Sequence, residues 1–282
     1  MSIYESLRTA ASGLTTNKMR AALTMLGIII GVASVVALLS IGEGVEASIT
    51  GEIEGLGANL IFVTADTPED AAAPAYVTTA DAEALTDPFN APALVAVAPT
   101  MQGQLRVTHG DEAANLTISG TNEQYADIRS LDFSLGGFLT EADLDDQARV
   151  AVLGWGAFVD LFAEGEYPIG QTVTIDGVRF EVVGVLEEQG GFGNDDYTVY
   201  VPLTTGQTRF FPQRTLSGER PAAAIYVSVI DEMQVNDAVE QIEQVLRERH
   251  DLTTGDEDDF QVTSQQEILD FANQITGIMT LF

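Results

Sequence analysis

The chain has no cysteine, one lysine (Lys18) and two histidines (His109 and His250) in 282 residues. Without cysteine no disulfide can staple the fold, and a lipoprotein anchor through an N-terminal cysteine is excluded. The lysine follows Asn17 rather than glycine, so the Walker A loop G-x-x-x-x-G-K-[ST] is absent and P-loop hydrolysis of ATP is ruled out for this chain. The histidines are far apart, with no H-E-x-x-H, which leaves a zinc hydrolase without its usual ligands. His250 closes the stretch Leu246-Arg-Glu-Arg-His250 and is read as serving a helix C-terminus. With no G-x-S-x-G elbow and no GxGxxG phosphate loop either, the reading is a non-enzyme: no catalytic, cofactor-binding or metal-ligating residue is assigned.

Basic charge is equally scarce. Twelve Lys and Arg stand against 43 Asp and Glu, a net charge of −31. Arg8, Lys18 and Arg20 outweigh Glu5 by two, so the chain beyond residue 20 carries −33. Such a surface repels nucleic acid and anionic headgroups, and no nucleic-acid partner is expected. Asp195-Asp196 and Asp256-Glu257-Asp258-Asp259 lack the alternating acids and central glycine of an EF-hand loop. They are read as solvated acidic surface, of a kind suited to a saline exterior.

Charge of either sign is missing altogether from residues 21–42. As a helix this run is roughly 33 Å long, against a hydrocarbon core of about 30 Å. A cleaved signal peptide is the competing reading, but the run exceeds the usual h-region and about twenty residues precede it. The bases Arg8, Lys18 and Arg20 before the run, and the acids Glu43, Glu46, Glu52 and Glu54 after it, place the N-terminus in the cytoplasm and the rest outside. Ile3, Leu7, Ala10, Ala11 and Leu14 make an apolar stripe for an interfacial helix within residues 1–20. Inside the span, Gly27 and Gly31 form a G-x-x-x-G pair that allows close approach of another helix.

Past the span, residues 43–56 lack proline and are expected to continue as a helical stalk until Gly57. A strand is expected over 59–64, a capping box at Thr78 and Asp81 opening a helix over 79–87, and strands over 93–98, 103–109 and 113–119. Residues 149–153 read as a strand entering a helix over 155–163. Strands 171–175 and 178–186 meet at Asp176-Gly177, a type I′ hairpin signal. The glycines of 190–194 read as a flexible loop, followed by strands over 197–203 and 222–230. Asp231 caps a helix whose buried face is Val235, Val239, Ile242, Val245, Leu246 and Arg249. A last strand over 260–263 meets a second capping box, Ser264 with Glu267, and the helix it opens turns apolar from Phe271.

In this order the chain shows Asn17-Lys-Met-Arg20, Leu23-Thr-Met-Leu-Gly-Ile-Ile-Ile-Gly-Val32, Leu56-Gly-Ala-Asn-Leu60, Val150-Ala-Val-Leu-Gly154, Leu161-Phe162, Pro168-Ile-Gly170, Phe180-Glu-Val-Val-Gly-Val185, Tyr200-Val-Pro-Leu203, Leu246-Arg-Glu-Arg-His250 and Asp259-Phe260-Gln-Val262. The sequence thereby resembles the permease subunit of MacB-type ABC transporters. That resemblance implies an α+β protein: a transmembrane helix with a stalk, then a two-lobed extracytoplasmic α/β domain of mixed sheets. The core is expected over 57–265, with a flanking lobe of about 57–112 and 220–265, an inserted lobe of about 113–219, and residues 266–282 leading into a second membrane helix. It also implies a dimer of permeases in the bilayer and a separate ATP-binding subunit that holds the nucleotide. A membrane fusion protein is a further partner it allows, and three later spans belong to the whole permease. The alternative is a single-pass anchored domain that binds an extracellular ligand or partner.

Overall fold

The structure, a computed structural model, describes residues 18–55, 59–69, 73–190, 195–271 and 274. The interfacial helix expected before residue 18, with Arg8, and the tail beyond residue 274 lie outside the described residues. Helix α1, Lys18–Gly55, is unbroken for 38 residues, about 57 Å at the α-helical rise. Ile49–Asp270 form a compact unit of their own, called the outer domain after the side of the membrane expected from the sequence.

In the outer domain, β1 (Leu60–Ala65), β3 (Leu94–His109), β11 (Ala224–Val229) and β12 (Phe260–Ser264) lie in the order β12-β1-β11-β3, each antiparallel to its neighbour. Helix α2 (Thr79–Leu85) connects β1 to β3, and α7 (Val235–Arg249) connects β11 to β12. Two β-α-β crossovers interleaved in one sheet give the split β-α-β arrangement. Its core gathers Ile61, Val63, Leu85, Val97, Ile225, Val227, Ile242 and Leu246. The helix face is set by Ala238, Ile242 and Leu246, which are fully buried, while Val235, Val239 and Val245 pack at its edge.

The chain between β3 and β11 builds a second layer. Strands β4 (Glu112–Thr121), β6 (Val150–Leu153), β7 (Thr172–Ile175), β8 (Val178–Leu186) and β9 (Thr198–Pro202) pair in the cycle β3-β4-β9-β6-β8-β7 and back to β3. A closed cycle removes sheet edges. Val107, Leu116, Ile118, Leu153, Val173, Phe180 and Val199 fill it. Short elements complete this region: α3 (Tyr125–Ile128), β5 (Phe133–Gly136), α4 (Glu141–Asp145), α5 (Trp155–Leu161) and α6 (Leu203–Arg209), while β2 (Val77–Thr78) pairs β10 (Pro221–Ala222) apart from the main sheet. The first apolar cluster draws on 57–112 and 220–265, the second on 113–219 with Leu105 and Val107, and a third joins Leu60, Ala98 and Tyr226 to Tyr125, Val152, Leu186 and Tyr200.

Two strands expected over 93–98 and 103–109 are one. β3 runs for 16 residues, about 53 Å. Its first half pairs with β11 and its second with β4 and, at Val107 and Thr108, with β7. Gly103, expected to open the second of the two, instead sits inside the strand, where Phe211 occupies the space a side chain would need. The 197–203 strand ends at Pro202, and α6 starts at Leu203. Asp231 caps a short 3-10 turn at 232–234 rather than α7 itself. The Asp176-Gly177 hairpin has positive φ at both residues, 45° and 83°, as a type I′ turn requires.

At Gly184 an added Cβ would lie 2.0 Å from the Gly137 carbonyl oxygen. Because the obstacle is backbone, Gly184→Ala is expected to lower stability by about 1–3 kcal/mol. Urea unfolding followed by the fluorescence of Trp155, the single tryptophan, measures it; an unchanged midpoint would show that β5 and β8 separate freely.

Candidate functional site

Four arrangements could carry function: the apolar part of α1, two buried charge clusters and a histidine clasp. Lys18–Gly42 is long and apolar enough to cross a membrane. Lys18 and Arg20 are exposed at its N-terminal end. Thr24 donates to the Arg20 carbonyl at 2.8 Å and Ser34 to that of Ile30 at 2.7 Å, so neither hydroxyl needs an outside partner. Gly27 and Gly31 lie one turn apart with open space where a Cβ would stand. The structure therefore leaves a shallow apolar notch on this helix.

The first charge cluster centres on Asp81, the N3 residue of the α2 capping box. Its carboxylate accepts from the Thr78 backbone N–H and hydroxyl, both at 2.8 Å, from Arg249 Nε at 2.5 Å and from His250 Nε2 at 3.3 Å. His250 Nδ1 meets Asp259 at 2.6 Å, and Arg249 Nη2 reaches Glu219 at 3.3 Å. Asp81 is 1% exposed. Burial alone would raise its carboxyl, but hydrogen bonds from His250, Arg249 and Thr78 together lower it to about 2. The bond to Asp81 raises His250 to about 9, against the opposing effect of burial and with help from Asp259. His250 is the C-cap of α7, as the sequence reading has it, and its side chain in addition ties α7 to α2 and to the approach to β12.

The second cluster holds Arg129 against the Tyr125 and Tyr226 rings, with the guanidinium carbon 5.7 and 5.5 Å from their centroids. Nη1 donates to Tyr125 at 3.0 Å and Nη2 to Asp195 at 2.8 Å, while the Tyr200 hydroxyl donates to Asp195 at 2.7 Å. Burial opposes the charge on Arg129, and the surrounding tyrosines and Asp195 more than restore it. Asp196 accepts from the Gln189 and Gly190 backbone N–H groups at 2.9 and 3.0 Å. The acids at 195–196 therefore fasten the turn and are not free solvated surface. Within 256–259, Asp258 pairs with Arg247 and Asp259 with His250, whereas Asp256, which accepts from Thr253, and Glu257 are exposed as the sequence reading expects.

His109 stacks on Phe162 with centroids 4.0 Å apart. Its Nδ1 faces the Thr172 carbonyl at 2.9 Å and its Nε2 faces Glu166 at 3.0 Å. Only an imidazolium donates to both acceptors, in accord with its raised pKa, where these contacts outweigh burial. Among the described residues no group of three or more His, Asp or Glu is arranged to hold a metal ion. These clusters clamp elements together and offer no nucleophile beside a base.

The MacB-like periplasmic core domain family matches residues 21–245. The chain belongs to this family. The MacB named a macrolide export ATP-binding/permease protein in Rhodospirillum rubrum is 34% identical over 286 residues, covering 99% of this chain and 42% of that protein. The pyoverdine export ATP-binding/permease protein PvdT of Pseudomonas entomophila is 32% identical over 251 residues, covering 88% and 37%. The chain thus spans about two fifths of the length of the curated relatives it matches. Among solved structures, the periplasmic region of MacB from Actinobacillus actinomycetemcomitans shares the fold with a TM-score of 0.64 at 23% identity, over 80% of this chain and 97% of that one. The extracellular domain of the transporter YknZ from Gram-positive bacteria gives 0.59 at 22%, over 73% and 100%.

MacB-like motifs acquire physical reasons in this fold. Gly154 ends β6 where a Cβ would lie 2.1 Å from the Asp195 carbonyl oxygen, and Gly170 holds φ at 80°. The stretch Leu246-Arg-Glu-Arg-His250 supplies two of the groups that grip Asp81. Lys18, Arg20, Gly27 and Gly31 share α1; Arg8 lies outside the described residues. Arg129 was not singled out from the sequence, and the ion pairs made by Asp81 and Asp195 were not read there, because Asp81–Arg249 and Arg129–Asp195 are 168 and 66 residues apart.

Proposed function

We propose that the chain is the N-terminal part of a MacB-type ABC exporter permease, coupling ATP hydrolysis by a separate subunit to movement of an extracytoplasmic domain. The observation that carries this reading is the membrane-length helix α1, which runs unbroken to Gly55 and leads into a MacB-like core. A rigid helix transmits displacement, whereas a loop would absorb it. Residues before Lys18 then face the cytoplasm, where the ATP-binding subunit is met, and the outer domain faces away. A second permease copy packs against the Gly27–Gly31 notch, and a membrane fusion protein joins where the envelope has one. Because exporter relatives are named for both macrolides and pyoverdine, the cargo class is left open and the export role is the claim.

The absence of cysteine makes topology directly testable. A cysteine in place of Leu216, which is 98% exposed, should react with a membrane-impermeant maleimide in intact cells, and one in place of Ser2 only after permeabilisation. The reverse pattern would overturn the orientation. Replacing Gly27 and Gly31 together by Leu fills the notch, and inter-copy cross-linking in the bilayer should fall by about fivefold or more, the loss of roughly 1 kcal/mol of helix packing. Unchanged cross-linking would remove the glycines from the interface.

A further inference from the structure

A groove of about 810 Å³ lies between the first turns of α7 and residues 264–270. Its apolar lining is Val235, Val239 and Leu269, all half-buried, and the two valines also pack on the core. Its charged lining is acidic throughout: Glu232, Glu240, Glu267 and Asp270, all exposed. Glu243, one turn beyond Glu240 on α7, shows the crowding. Its carboxyl is raised by burial first and then by Asp258, Glu240 and Glu267, with Arg247 in opposition. A half-buried apolar strip rimmed by carboxylates of one sign is complementary to a helix or strand carrying apolar residues on one side and bases beside them.

Charge narrows the occupant. A second copy of this chain brings the same acidic excess of −33 beyond residue 20, and nucleic acid or anionic lipid is repelled for the same reason. A bare divalent ion would leave the valines and Leu269 unused, and the described carboxylates are not gathered as metal ligands. We propose that this groove docks a basic amphipathic segment of a partner protein, its apolar side on Val235, Val239 and Leu269 and its lysines or arginines against Glu232, Glu240, Glu267 and Asp270. Because α7 forms one wall and residues 264–270 the other, an occupant fixes the two against each other. The inference is independent of the export reading, which concerns α1 and the nucleotide.

The test uses the 282-residue chain in phosphatidylcholine nanodiscs, with empty discs subtracted. The probe is a fluorescent lysine–leucine peptide, LKKLLKLLKKLLKL, and its scrambled isomer of equal charge. Glu232→Lys with Glu240→Lys reverses the rim without touching Glu267, which caps Ser264. Glu187→Lys with Glu188→Lys makes the same charge change at exposed positions outside the groove. The rim pair should weaken binding about tenfold and the remote pair less than about twofold, with the scrambled peptide weaker on the native chain. Equal weakening by the two pairs, equal binding of the two peptides, or no saturable binding each overturns the proposal. Trp155 fluorescence confirms that each variant is folded before its binding is scored.

Discussion

Asp81→Asn should lower the unfolding free energy of the outer domain by about 3 kcal/mol, the lower end of what removing one partner of a buried ion pair costs. The lower end applies because Arg249 stays 29% exposed and keeps Glu219, and His250 keeps Asp259. The carboxylate is 1% exposed and joins α2, α7 and the approach to β12, so its removal strands two cations beside the core. The same contact gives a pH signature. His250 is raised from 6.5 to about 9; its contribution is complete below pH 6.5, declines above it and is gone once pH passes about 9. Asp81 is lowered from 3.8 to about 2, so its contribution is complete above 3.8 and fades as pH falls toward 2. The plateau therefore spans about pH 4 to 6.5, and Asp81→Asn should flatten the alkaline limb as well as lowering the plateau. Urea midpoints across pH 3 to 10, read at Trp155, decide it; a loss under about 1 kcal/mol, or an alkaline limb that survives in the variant, would show that the cluster does not hold the lobe together.

Lowering sodium chloride from about 1 M to about 0.1 M should destabilise the outer domain by several kcal/mol, because the screening length grows from about 3 to about 10 Å. Two opposing effects compete. Salt weakens the few ion pairs, but those at Asp81 and Arg129 are largely buried and little screened. It also relieves the mutual repulsion of 43 acids against 12 bases, and with so large an imbalance relief wins. Sucrose, which stabilises by exclusion without screening, is the control. If sucrose at equal stabilising strength replaces salt fully, or the midpoint is independent of salt, self-repulsion is not what limits this fold.

Local features were legible in the sequence because their causes are local. Charge exclusion from 21–42, the Thr78–Asp81 and Ser264–Glu267 capping boxes and the Asp176-Gly177 turn each rest on residues within a few positions. The capping box at Thr140 and Asp143 has the same form and was readable but passed over among short elements. What stayed hidden depends on distant pairing. β3 was read as two strands, over 93–98 and 103–109, because its continuity rests on distant pairing, with β11 up to Thr100 and with β4 from Met101. His250 was legible as the end of its helix, but its grip on Asp81 was not, because Asp81 lies 169 residues earlier. Asp195 looked solvated because nothing near it in sequence announces Arg129.

The most direct test of coupling between nucleotide and outer domain exploits the cysteine-free chain. A spin label on a cysteine replacing Leu216 in each copy of the proposed dimer, reconstituted with the proposed ATP-binding subunit, reports the distance between the two outer domains. A distance distribution that shifts on adding ATP with magnesium, and reverts on hydrolysis, is the result expected of a domain driven from the membrane side. Identical distributions in the two conditions, with ATP turnover confirmed in the same sample, would contradict it and leave an anchored domain that does not move with the nucleotide.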